Sequence, residues 1–164
     1  LTFGGSGYDI ACTQNNQPIT YQLQKNTIVV NPVDFNPIFK EHLYFVYLNK
    51  KQNSRDGIAS YNTNKSNLES VIPEINDITT NIISCKTLET FDALIQQHES
   101  LISKITKQDT VKDLLFNDFN GSVKSLGAWG GDFVLVTAKE NPENYFKTKG
   151  FNTVISYDDM ILKL

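Results

Sequence analysis

The longest apolar run in the sequence is Leu43-Tyr44-Phe45-Val46-Tyr47-Leu48. A half-buried strand alternates apolar and polar residues, because successive side chains point to opposite faces of the sheet. This run is instead apolar on both faces, which is typical of a strand in the centre of a covered sheet. We therefore expect it to form the central strand and to anchor the core.

Helical and strand patterns follow this run. Apolar residues recur every three or four positions from Leu68 to Ile83 and from Leu88 to Ile105, which predicts two helices with one buried face each. Pro73 is expected to kink or restart the first, and Thr87 to cap the second. A shorter helix is expected near Asp109. The remaining predicted elements are strands at 122–126, 133–137 and 153–155 and a helix between Asn141-Pro142 and Gly150.

The resulting order is strand, helices, strand, strand, helix, strand. It predicts an α+β fold: a ferredoxin-like split βαβ antiparallel sheet with helices on one face. Before it, Ile19, Tyr21 and Leu23 alternate with polar residues and Thr27-Ile28-Val29-Val30 follows, which predicts an N-terminal β-hairpin extension. We therefore divide the chain into a glycine-rich segment with the hairpin, residues 1–35, and a main domain, residues 36–164.

Composition limits the classes of function. The chain has 164 residues, 40% of them hydrophobic, and a formal charge of −3, so it lacks the basic excess of a nucleic-acid-binding protein. Its longest apolar run is too short for a membrane span. Cys12 and Cys85 form no CxxC pair, so we expect buried thiols, no metal site and a cytoplasmic location. A chain that opens with Leu1 and a glycine-rich stretch is interpreted as part of a longer protein.

Glycine is concentrated in two segments, Gly4-Gly5-Ser6-Gly7 and Gly127-Ala128-Trp129-Gly130-Gly131. Glycine allows backbone N–H groups to approach a ligand closely, so such segments can form anion sites. A turn between two strands also uses glycine, and composition alone does not distinguish the two interpretations of the second segment.

Asp9 follows the first segment and is expected in the first turn of a short helix. Ordinary helix capping is one explanation, because the helix dipole favours a carboxylate there. The other is a carboxylate that orients a substrate hydroxyl or accepts its proton during phosphoryl transfer.

Three stretches resemble one enzyme family. Ser6-Gly7-Tyr8-Asp9-Ile10-Ala11 is similar to the PSGxDxA segment of the GHMP kinases, and Lys124-Ser125-Leu126-Gly127-Ala128-Trp129-Gly130-Gly131-Asp132 resembles their KxTGAGxGG loop. Between them, Leu48-Asn49-Lys50-Lys51-Gln52-Asn53-Ser54-Arg55 is similar to the NTKxxRNT stretch of mevalonate-type kinases. The resemblance covers essentially the whole chain, but only the carboxyl-terminal portion of a complete kinase.

The resemblance implies an ATP-dependent small-molecule kinase of the mevalonate, phosphomevalonate or homoserine type. Asp9 matches the acid that activates or orients the acceptor hydroxyl. ATP and Mg²⁺ would be held mainly by the amino-terminal half, which carries the PxxxGLGSSAA loop, so this chain alone is expected to be inactive. The partners implied are a small-molecule acceptor and the amino-terminal half or a second copy. The implied substrate- and phosphate-binding residues are Ser6, Gly7, Ser54, Arg55, Gly127, Ala128, Gly130 and Gly131.

Three residues depart from the family pattern. Trp129 stands where the family has glycine, Leu126 stands where it has threonine, and Asp132 adds a negative charge beside a loop expected to face phosphate. A carboxylate facing phosphate opposes its binding. These departures leave open an alternative function, a non-catalytic metabolite-binding or interaction module on the same fold. A ferredoxin-like regulatory domain without kinase ancestry, in which the glycines only form turns, is a third possibility.

Overall fold

The computed structural model describes residues 6–24, 27–50, 68–127 and 131–161. These residues form two compact units, one in the chain up to Asn36 and one from Pro37 to Ile161.

The first unit contains a short helix and the predicted hairpin. Helix α1 (Tyr8–Thr13) precedes strands β1 (Ile19–Gln24) and β2 (Thr27–Pro32), which pair antiparallel. In this register Leu23 lies opposite Ile28, and both side chains are exposed, by 65% and 51%. The hairpin prediction is confirmed.

The second unit is built on a four-stranded antiparallel sheet. Its strands are β3 (Leu43–Tyr47), β4 (Val123–Ser125), β5 (Phe133–Thr137) and β6 (Val154–Ser156). Their spatial order is β4-β5-β3-β6, so β3 and β5 are central and β4 and β6 lie at the edges. Since the residues of β3 are buried or half-buried, the prediction of a central strand is confirmed, as are the α+β class and the split βαβ order.

Helices connect these strands. A single 3-10 turn (Lys40–His42) leads into β3. The helices of the second unit are α2 (Leu68–Ser84), α3 (Leu88–Thr106), α4 (Val111–Leu115), α5 (Glu143–Thr148) and α6 (Tyr157–Met160). In the described part of the chain, no helix is both long and apolar enough to cross a membrane.

Local capping chemistry sets several helix ends. The Thr87 and Thr110 hydroxyls accept the backbone N–H groups of Thr90 and Asp113, so α3 begins where the sequence predicts and α4 begins at Val111, near the predicted Asp109. At α5, Asn141 Oδ1 accepts the N–H of Glu143 at 2.9 Å. Gly150, with φ +90°, ends that helix, as predicted.

Three sequence predictions are wrong. Ile72, on the predicted buried face of α2, is 53% exposed, whereas Ile78 of the same helix is buried. Helix α2 continues through Pro73, so of the two expectations for that residue the restart does not occur. Leu114, on the predicted apolar face of α4, is 64% exposed. Cys12, predicted to be buried, is exposed on α1.

The core combines one face of the sheet with an aromatic cluster. Val46, Val134 and Val136 are fully buried on this face. They pack with residues that follow α4 and with α5, and the rings there contact each other at centroid distances of 4.9–6.4 Å. The rings of this cluster are Phe116, Phe119, Tyr145, Phe146 and Phe151.

The segment before β4 passes very close to the end of β5. The Thr137 N–H donates to Ser122 O at 3.1 Å, and the Ser122 N–H donates to the Thr137 hydroxyl at 2.8 Å. A Cβ added to Gly121 would lie 1.9 Å from Thr137 O. Only glycine therefore fits at position 121 without moving the backbone.

Phe116→Ala tests the importance of the aromatic cluster. Because Phe116 is fully buried among aromatic rings, we expect the free energy of unfolding to fall by about 3–5 kcal/mol. Denaturant unfolding followed by fluorescence measures this. Leu114→Ala on the exposed face of α4 is the control, expected to change stability by about 0.5 kcal/mol or less. Equal losses in the two variants would contradict the assignment of the core.

Candidate functional site

The predicted acid Asp9 lies at the start of helix α1. Gly7 precedes the helix with φ +80°, a conformation that glycine adopts without strain. Asp9 stands in the first turn and is exposed, and among the described residues its carboxylate accepts no hydrogen bond. Its charge is thus favoured by the helix dipole and is directed to solvent.

Ser6 is held in place by the hairpin. The Tyr21 hydroxyl donates to Ser6 O, and Ser6 Oγ accepts the Tyr8 N–H at 3.4 Å. The segment Ser6-Gly7 is therefore anchored to β1, immediately before the helix that carries Asp9. This arrangement allows Asp9 to meet a hydroxyl-bearing ligand and is equally compatible with a stabilised helix start.

The second glycine segment connects two neighbouring antiparallel strands. Gly127 follows β4 with φ +65°, and Gly131 is buried just before β5. Both flanks are fixed by backbone hydrogen bonds, from Leu126 N to Phe133 O at 3.2 Å and from Leu48 N to Asp132 O at 2.8 Å. The positive φ at Gly127 is what a tight turn requires, and its role in phosphate binding stays a prediction.

The other predicted binding residues lie outside the described residues. They are Ser54, Arg55, Ala128 and Gly130, and the departure from the family pattern at Trp129 lies there as well.

A buried polar cluster stands at the end of β4, just before the second glycine segment, residues 127–131, which we call the glycine turn. Glu99 on α3 is only 4% exposed, and its Oε2 accepts the N–H of Ser125 at 3.1 Å. Lys124 Nζ donates to Ser125 O at 3.3 Å and lies 3.5 Å from Glu99 Oε1. His98 Nδ1 lies 3.3 Å from the same ammonium group. We name Glu99, Lys124 and His98 the edge cluster, because both backbone groups of Ser125 on edge strand β4 bond to its side chains.

Electrostatics make the edge cluster sensitive to substitution. Burial lowers the pKa of Lys124, while the carboxylate of Glu99 acts in the opposite direction. Glu99 Oε1 and Ser125 Oγ are buried without a hydrogen-bond partner among the described residues. The ion pair thus compensates only part of its desolvation, so loss of either partner leaves an uncompensated charge.

The edge cluster also fixes the position of the turn. A strand at the edge of a sheet leaves alternate N–H and C=O groups unpaired. At Ser125 these groups bond to side chains, and Gly127 follows two residues later. The cluster therefore holds the end of β4 from which the glycine turn starts.

Sequence reasoning missed Glu99. A usable signal exists, because Leu88, Phe91, Ile95 and Glu99 follow one another at helical spacing and are all buried on α3. A carboxylate on a buried helical stripe needs a partner, which directs attention to a lysine elsewhere.

His42, just before β3, has a structural contact, since its Nδ1 lies 3.1 Å from Ala138 O.

Comparison with known proteins gives a likeness of fold. No protein-family model matches the sequence, and no curated protein matches it significantly. Among solved structures, the crystal structure of L. major mevalonate kinase in complex with R-mevalonate matches with a TM-score of 0.55 at 15% sequence identity. The match covers 80% of this chain and 43% of that chain. The chain thus spans less than half of the matched kinase, and the likeness is one of fold.

Glu99→Ala tests the edge cluster. It leaves the Lys124 ammonium and the Ser125 N–H without their buried partner, so we expect the free energy of unfolding to fall by about 3–5 kcal/mol. The double variant Glu99→Leu/Lys124→Met removes both charges and is expected to recover most of this loss. Glu74→Ala, on the exposed face of α2, is the control. A single and a double variant of equal stability would contradict a coupled ion pair.

The pH dependence of stability tests the environment of Lys124. Burial lowers its native pKa below the unfolded value of 10.5. Between these two values the unfolded state binds more protons, so stability rises with pH in that window through this group. The denaturant midpoint of each protein is measured as the pH is raised from neutral to 10.5. We expect the midpoint of the wild type to rise more, or fall less, than that of Lys124→Met. Lys104→Met, at an exposed position of α3, should show the same pH dependence as the wild type. Parallel curves for all three proteins would contradict a lowered pKa of Lys124.

Proposed function

We propose that this chain is the carboxyl-terminal portion of an ATP-dependent kinase that phosphorylates a small acceptor of the mevalonate, phosphomevalonate or homoserine type. The observation that carries the proposal is the likeness of fold to mevalonate kinase over 80% of the chain. The order of the three motif-like stretches along the sequence supports it independently.

Asp9 is the residue assigned to the acceptor. Its exposed carboxylate follows the glycine at position 7 and would orient the acceptor hydroxyl or take its proton. Ser6 and Gly7 would present backbone groups to the same acceptor. Positioning and charge stabilisation provide most of the catalysis in phosphoryl transfer, so a carboxylate beside the acceptor hydroxyl suffices for this role.

The glycine turn is assigned to phosphate. Gly127, Ala128, Gly130 and Gly131 would offer backbone N–H groups to phosphate oxygens, as glycine-rich turns do at anion sites. The edge cluster supports this assignment, because it fixes the end of β4 from which the turn starts. Ser54 and Arg55 would contact an anionic part of the acceptor, for which a guanidinium is well suited.

Bound ATP supplies the phosphoryl group that is transferred. The described residues include no cluster of three or more His, Cys, Asp or Glu side chains that fits a metal ion. Following the family resemblance, we assign Mg²⁺ to the amino-terminal half and derive no step through it in this chain. Backbone hydrogen bonds hold both flanks of the turn, at Leu126 and at Asp132. A backbone held in this way suits the outer part of a phosphate site.

The hairpin favours association with another polypeptide. Leu23 and Ile28 form an exposed apolar pair across its strands, and such surface is commonly covered in an assembled protein. We propose the amino-terminal half of the kinase as the covering segment, with a second copy as the alternative. A cytoplasmic location is proposed from the two unpaired cysteines.

A non-catalytic module on the same fold is the second candidate. It is favoured by Asp132, an exposed acidic residue directly before β5 and next to the turn, which would repel phosphate. Titration of the full-length protein with ATP, followed by a screen of alcohols and phosphomonoesters for ADP release, separates the two candidates. Metabolite binding without stimulated ADP release would favour the module.

Asp9→Asn tests the kinase proposal. In the full-length protein we expect phosphoryl transfer to fall by about 100-fold or more, because the amide neither accepts a proton nor carries charge. Steady-state ADP release measures the change. Asp34→Asn, a matched change at an exposed position of the same unit, should leave turnover unaltered. Unchanged turnover in Asp9→Asn would remove Asp9 from the mechanism.

A further inference from the structure

A polar cavity of about 240 Å³ opens at the end of the sheet that lies away from the glycine turn. Its apolar floor includes Phe119 and Ala138, which are 8% and 6% exposed. Its polar wall includes Asp92 and Gln96 on α3, Lys112 on α4, and Lys139 after β5. An apolar floor with a few converging polar groups is the usual construction of a small-molecule site.

The wall of the cavity is held by hydrogen bonds. Asp92 Oδ1 accepts from the Thr137 hydroxyl, and Gln96 Nε2 donates to Ser122 Oγ at 3.0 Å. Lys112 Nζ donates to Gly121 O. Three of the four polar side chains of the wall are thus held to β5 or to the segment before β4, so a ligand would meet a largely preformed site.

The charges in the wall favour an anion. Among the described residues, neither Lys112 nor Lys139 forms an ion pair with a carboxylate. The one acidic side chain of the wall is Asp92, so the two ammonium groups leave a net positive charge. Lysine is a common ligand of phosphate and carboxylate groups. Asp92 and Gln96 line the same wall, and a carboxylate or an amide oxygen can accept hydrogen bonds from a ligand.

We infer that this cavity binds a small molecule that carries one oxyanion group, a phosphate or a carboxylate, together with a hydroxyl or ammonium group. The oxyanion contacts Lys112 and Lys139, and the donor group contacts Asp92. Typical sites for drug-sized ligands measure about 300–1,000 Å³. At about 240 Å³ the cavity suits a ligand smaller than a nucleotide.

The cavity is separate from the glycine segment that is assigned to phosphate. Strand β5 begins at Phe133, next to the glycine turn, and ends at Thr137 in the cavity wall. Four residues of extended strand span about 13 Å. The inference therefore does not depend on the kinase proposal, and binding here can be measured whether or not the protein transfers phosphate.

Binding of small probes to this chain tests the inference. Glycerol 3-phosphate carries a phosphate and hydroxyl groups, L-serine carries a carboxylate and an ammonium group, and glycerol, without an anion, is the negative control. Chemical shifts of the backbone amides of Gly121 and Thr137 measure binding at millimolar concentrations. We expect one anionic probe to saturate these shifts; saturation by the first identifies a phosphate site and by the second a carboxylate site. No saturation by either, or equal shifts with glycerol, would overturn the inference.

Substitution of the two lysines locates the binding. Lys139 is exposed, so Lys139→Met should fold normally and weaken binding by about tenfold, the effect of one charge-assisted contact. Lys112→Met is expected to have a similar effect. Lys104→Met is the matched control, since α3 places it about 18 Å from Asp92, and it should bind as the wild type does. Binding equally weakened by all three, or by none, would show non-specific attraction and refute the site.

Discussion

The contact of Glu99 with Lys124 and Ser125 joins the longest described helix to the outer strand of the sheet. A strand of three residues at a sheet edge has few ladder bonds of its own, and at Ser125 of β4 two side chains bond to the backbone N–H and C=O groups. Because both charges are buried, the arrangement persists only while both are present. The second glycine segment starts two residues after this attachment, at Gly127.

Local signals were sufficient for most elements of the fold. The run at Leu43, the alternation at Ile19 and the hydroxyl of Thr87 each act within a few residues, and the structure has β3, β1 and the start of α3 there. Exposure was harder to predict, because helical periodicity shows which residues share a face and not what covers it. Ile72 and Leu114 lie on apolar faces that the described part of the chain leaves exposed.

Less of the candidate site could be predicted. The sequence located Gly127 in a turn between strands and Asp9 in a first helical turn, since glycine and a helix-start carboxylate have local physical causes. The partnership of Glu99 with Lys124 depends on which strand lies beside α3, and no local pattern encodes that. The cavity is likewise formed by side chains from three separate segments, so its charge balance becomes visible only in three dimensions.

The close passage of Gly121 beside Thr137 O has a consequence for evolutionary comparison. At 15% identity to a protein of similar fold, sequence alignment has few matching residues to rely on. Crowding by the backbone at Thr137 nevertheless excludes a side chain at position 121. A glycine at position 121, followed three residues later by a lysine that pairs with a buried glutamate, is therefore a pattern by which remote homologues can be aligned. In such a family the glutamate and the lysine would be gained and lost together.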